Sequence, residues 1–81
     1  MNTGKYLMRR NRFEDAIKIF EISATVDLKN IIGISSSYSF MGECYDKMKK
    51  VDLAIINLKK ALEFDSKNKN AEEMLKRIEN K

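Results

Sequence analysis

Histidine is absent from this 81-residue chain. With it go the commonest general base and the imidazole metal ligand. Proline is absent too, and glycine occurs only at positions 4, 33 and 42. No stretch therefore has a linker composition, which predicts continuous helices joined by tight turns. Cys44 is the single cysteine, so no internal disulfide can form. A reducing, cytoplasmic setting is the natural expectation. No apolar run approaches the roughly 18 residues that span a bilayer. The opening MNTGKYLMRRNR lacks the apolar core of a secretory signal. Neither a glycine-rich phosphate loop nor a Cys/His cluster at metal-ligand spacing is present, so no enzyme activity, cofactor or metal is expected.

What is present suits one small helical domain. Charged residues make up 35% and apolar ones 43%, which favours a folded chain over a disordered one. A domain of this size buries only about 60–65% of its unfolded surface, so modest stability is expected. Sixteen basic against twelve acidic residues leave a net charge of +4. That excess is compatible with an acidic partner or nucleic acid, although a solvated helical surface explains it equally simply. The breakers and apolar periodicity predict five helices, at about 3–10, 12–28, 30–48, 51–65 and 68–80. Thr3 is the expected N-cap of the first. Asn11 and Lys49 occupy the inter-helix turns, where a left-handed residue is needed; Asn tolerates that conformation better than Lys.

The chain repeats itself. Phe13–Asn30 aligns with Val51–Asn68 at an offset of 38, placing Ala16 on Ala54, Ile17 on Ile55, Phe20 on Leu58 and Ser23 on Ala61. The same shift sets Gly4 on Gly42 and Leu7 on Tyr45. In the last segment Ala71, Met74, Leu75 and Ile78 form one narrow stripe, with Glu72–Lys76 and Glu73–Arg77 as i,i+4 pairs on the other side. That is the pattern of a capping helix.

Within Tyr38–Leu62, Tyr38, Met41-Gly42 and Tyr45 precede a break near Lys49-Lys50, followed by Ala54, Leu58 and Ala61. A tetratricopeptide repeat asks for a large aromatic, Leu-Gly, an aromatic, then Ala-x3-Phe and a closing Pro over about 34 residues. Tyr38 to Ala61 resembles that pattern position by position, with Asp65-Ser66-Lys67-Asn68 where the proline turn would stand. The resemblance implies an all-α, right-handed α-α superhelix of helical hairpins. A truncated first repeat would cover about 1–30, a second about 31–68 and a cap about 68–80. Four residues, Ile31 to Ile34, account for the excess over the usual length and would extend the third helix at its start.

The resemblance also implies a function. First helices of such repeats line a groove that holds a peptide or a partner helix, making the chain a non-catalytic interaction module. Carried over by position, the groove would show Lys5, Met8, Arg9, Ser36, Ser39, Phe40, Glu43 and Lys47, with Glu73 and Arg77 from the cap. Phe40 is the expected apolar anchor, with packing against the cap or a sister chain as its alternative. The carboxylate clamp of the chaperone-binding branch is not matched, since Phe40, Asn70 and Met74 stand at its Asn, Lys and Arg positions.

About one and a half repeats cannot bury their own apolar face. Tyr6, Leu7, Phe13, Ile17 and Phe20 are therefore expected to lie uncovered at the N-terminal end. The expectation is a homodimer formed through them about a two-fold axis, or else a piece of a longer solenoid. A purely structural assembly subunit is the alternative function. Weak nucleic-acid binding through Lys5, Arg9, Arg10 and Arg12 beside Tyr6 is a more distant one. Cys44 has no histidine partner and is expected to pack as a small apolar residue.

Overall fold

The computed structural model describes residues 2–80, and of Asn2 only the backbone. Five helices follow one another: α1 (Asn2–Arg9), α2 (Phe13–Val26), α3 (Ile31–Lys47), α4 (Val51–Phe64) and α5 (Lys69–Glu79). The fold is all-α, with α3 packed between α2 and α4 and touching α5. Each helix end falls within two residues of the expected boundary. Thr3 is a correction: it lies inside α1 rather than capping it. Among the described residues no helix is long and apolar enough to cross a membrane.

The internal repeat is written into the hydrogen bonds. Asn11 and Lys49, 38 residues apart, have φ of 62° and 64°. At the first turn the Asn11 N–H donates to the Met8 carbonyl at 3.0 Å and Arg12 N–H to Leu7 at 2.9 Å. At the second, Lys49 N–H donates to Asp46 at 3.0 Å and Lys50 N–H to Tyr45 at 2.8 Å. One left-handed residue in each case reverses the chain and satisfies carbonyls that the helix end leaves free.

The α2–α3 and α4–α5 turns match in the same way. Asp27 Oδ1 accepts from Lys29 N–H at 3.1 Å, and Asp65 Oδ1 from Lys67 N–H at 3.0 Å. Asn30 Oδ1 then caps α3 through Gly33 N–H at 3.0 Å, and Asn68 Oδ1 caps α5 through Ala71 N–H at 3.1 Å. The aspartate side chain thus holds the turn without proline. Helix α5 begins where, one repeat earlier, α3 begins.

The core follows from small residues opposite large ones. Ala16 and Ala54 are fully buried, as are Phe20 and Leu58 one turn further on. Gly4 lies against the Phe20 ring and Gly42 against Leu58, close enough that a Cβ on either would collide. Burying a side chain such as Phe20 or Leu58 contributes about 1.5–3 kcal/mol. The chain is a slab of 34 × 29 × 16 Å. Its thinnest dimension accommodates two helix layers, whose axes pack about 8–10 Å apart.

This packing corrects the expected self-association face. Phe20 is fully buried and Ile17 nearly so, in one cluster with Met41 and Cys44 of α3. Leu7 and Phe13 are half-buried against the same cluster, and only Tyr6 is exposed. The reason is local: Gly4 lets α1 come down onto Phe20, so a helix of eight residues covers what a full repeat was expected to cover.

Candidate functional site: the groove between α1 and α3

Lys5, Met8 and Arg9 are spaced i, i+3 and i+4, so α1 presents them on one side. Phe40, Glu43 and Lys47 recur at i, i+3 and i+7 and share a side of α3. The α1–α2 turn sets the two helices so that these six residues, with Asn11, line one open groove of about 440 Å³. Its floor is aromatic. Phe40 stacks on the buried Phe20 with ring centroids 5.1 Å apart, and Lys5 Nζ lies 4.9 Å from the centre of the Phe40 ring.

That stacking alters the expectation for Phe40. Its ring belongs to the core cluster through Phe20, not to the cap or to a sister chain, while its half-buried edge still faces the groove. The anchor is therefore held in place beforehand, which lowers the ordering cost of a contact made to it.

Three cations, Lys5, Arg9 and Lys47, meet one anion, Glu43, in this groove. Among the described residues ion pairs form between Arg12 and Asp15 at 2.7 Å and between Lys76 and Glu72 at 3.5 Å. The helical pairs Glu43–Lys47, Asp46–Lys50 and Glu73–Arg77 do not close, so the groove keeps an excess of two positive charges. The remaining basic residues of the N-terminal cluster are engaged elsewhere: Arg12 with Asp15, and Arg10 over the Tyr6 ring at 5.5 Å.

Ser36 and Ser39 line a smaller depression of about 190 Å³, which shares Phe40 and Glu43 with the groove and adds Asn68 and Asn70. Ser39 is a correction as a contact residue. It is 1% exposed, and its Oγ accepts from Asn70 Nδ2 at 2.8 Å. Ser35, also fully buried, donates to the Ala61 carbonyl at 2.7 Å and accepts from Asn68 Nδ2 at 2.9 Å. These hydroxyls fasten α3 to α4 and α5 rather than facing a ligand. Arg77 and Glu73 line neither depression.

Asn11, Asn68 and Asn70 are lining residues that sequence reasoning missed. Asn11 and Asn68 read only as turn and cap, and no periodic signal marks Asn70. Cys44 is buried, and desolvation, with the neighbouring Glu43 adding to it and Lys47 opposing, pushes its thiol from 9.0 up to about 12. It stays protonated at neutral pH and packs as an apolar group.

A small-molecule pocket is lined mainly by apolar side chains and encloses its ligand. Here only Met8 and Phe40 are apolar among seven lining residues. An open, charged groove with an aromatic floor fits an extended or helical polypeptide better. No family model, curated protein or solved structure matches this chain.

Proposed function

We propose that this chain is a non-catalytic, cytoplasmic interaction module of tetratricopeptide type, which holds an acidic peptide or partner helix in the α1–α3 groove and self-associates. The observation that carries the reading is the Lys5, Arg9 and Lys47 set around the Phe40 ring. Carboxylates of the ligand meet the cations, and one apolar side chain rests on Phe40 and Met8. The 38-residue repeat of turns, caps and glycine contacts supports the tetratricopeptide assignment. Exposed charge contacts contribute only about 0.2–1 kcal/mol each, so affinity depends on the apolar anchor as much as on charge.

Fluorescence anisotropy with a short labelled peptide rich in Asp and Glu and carrying one Phe tests this. The acidic peptide is expected to bind, more weakly as salt rises, while a Lys-rich counterpart does not. Equal binding of both peptides, or of neither, would overturn the reading. Tight binding of single-stranded nucleic acid at roughly physiological salt would favour the nucleic-acid alternative. The purely structural alternative draws on a different observation, the bare aliphatic side chains at the end of α2.

A further inference from the structure

Two aliphatic residues on α2 have no cover. Ile22 is 59% and Val26 75% exposed, one helical turn apart on the same side. At the turn that follows, Leu28, Ile31 and Ile32 are exposed at 73%, 51% and 70%. Buried residues of this protein are mostly Ala, Met, Ile, Leu and Phe, so this corner places core-type side chains in water.

The internal repeat indicates what covers such a place. Thirty-eight residues after Ile22 and Val26 stand Lys60 and Phe64 of α4. Both are applied to a neighbouring helix: Phe64 stacks on Tyr38 at 5.7 Å and 5°, and Lys60 Nζ lies 5.2 Å from the same ring. Between them, Ala61 offers its carbonyl to Ser35 of that helix. The C-terminal half of the second helix of a hairpin is thus a berth for a helix. In α4 the berth is filled by α3, and in α2 it is bare. Where α4 carries Lys60, α2 carries Ile22, so the bare berth is also the more aliphatic one.

We propose that two copies of this chain pair through the C-terminal half of α2, each laying Ile22 and Val26 against the other across a two-fold axis. This rests on the self-association part of the reading above and moves it to a new face. A second copy suits the berth for three reasons. It brings a helix, which is what the equivalent berth holds. The aliphatic stripe on that helix matches itself, as an isologous contact requires. Finally, the charges around the stripe balance, with Lys18 and Lys29 against Glu21 and Asp27, so two chains of net charge +4 meet here without the repulsion that groove-to-groove contact would raise.

Light scattering behind a sizing column, over a range of protein concentrations, tests this on the full chain. The unaltered protein is expected at twice the chain mass, and the double variant Ile22→Asp with Val26→Asp at the chain mass. Both side chains are exposed, so far-ultraviolet circular dichroism should match between the two. A milder pair, Ile22→Ala with Val26→Ala, keeps helix propensity and is expected to raise the dimer Kd at least about tenfold. A monomeric unaltered protein would overturn both self-association and this face. A dimer that survives both double variants would leave self-association standing and overturn this face alone.

Discussion

Gly42 stands so close to Leu58 that a Cβ on it would lie 2.7 Å from Leu58 Cγ and 3.3 Å from the Ala54 carbonyl oxygen. One repeat earlier Gly4 stands in the same relation to Phe20, at 2.6 Å from the ring. Leu58 is fully buried and has nowhere to move. Two effects of Gly42→Ala therefore oppose each other. Better helix propensity contributes about 1 kcal/mol, and forcing a methyl into a filled core costs about 1–3 kcal/mol. Packing should win, and urea unfolding of Gly42→Ala is expected to show a net loss of about 1–2 kcal/mol. Unchanged or raised stability would mean that the α3–α4 contact is looser than described.

The left-handed turns give a prediction of opposite sign. Lys49 holds φ of 64°, a conformation that costs a side-chain-bearing residue about 1–2 kcal/mol. Lys49→Gly removes that strain but adds freedom to the unfolded chain, for an expected net gain of about 0.5–1 kcal/mol. Asn11→Gly should gain less, because Asn already tolerates its φ of 62°. Thermal unfolding of both variants checks the order.

Much of this architecture is legible in the residues themselves. The spacing of Gly42, Tyr45, Ala54 and Leu58 places a turn and two packed helices, and the two Asp-x-Lys-Asn segments place the caps. Groove residues are legible because a helix side is a matter of counting: Lys5 with Arg9, and Phe40 with Glu43 and Lys47. Burial across helices is not, since it depends on how far one backbone approaches another. Gly4 admits Phe20 beneath α1, so Phe20 and Ile17 are core rather than surface. Ser35 and Ser39 read as polar surface, yet their hydroxyls find buried partners in Ala61, Asn68 and Asn70. Such pairings lie 26 to 33 residues apart and leave no periodic trace.

Cys44 links burial to pH. Its folded thiol is pushed up to about 12 from an ordinary 9.0. Because the folded value is the raised one, the stabilisation is complete below pH 9.0 and is lost progressively as pH rises from there toward 12. Unfolding at increasing alkaline pH should show a steeper fall for the unaltered chain than for Cys44→Ala. At neutral pH the native thiol should react slowly with alkylating agents and readily once the chain is unfolded. Fast alkylation of folded protein would contradict the burial.

Reversing charge in the groove tests its electrostatics. Lys5→Glu with Arg9→Glu removes two attractive contacts and adds two repulsive ones at solvent-exposed positions. The acidic peptide should bind about tenfold more weakly, a change of about 1.4 kcal/mol. Its residual affinity should also depend less on salt. Stability should hardly change, because both side chains project into water. Equal affinity for the variant and the unaltered chain would place the contact elsewhere.

Mapping the ligand onto the protein is the most direct test of the groove. Amide chemical shifts of isotope-labelled protein, followed while the acidic Phe-bearing peptide is added, locate the contact without altering a residue. The account predicts shifts concentrated at Lys5, Met8, Arg9 and Asn11 and at Phe40, Glu43 and Lys47, on the two walls of one groove. Shifts confined to the Ile22–Ile32 corner, or none in either wall, would contradict it.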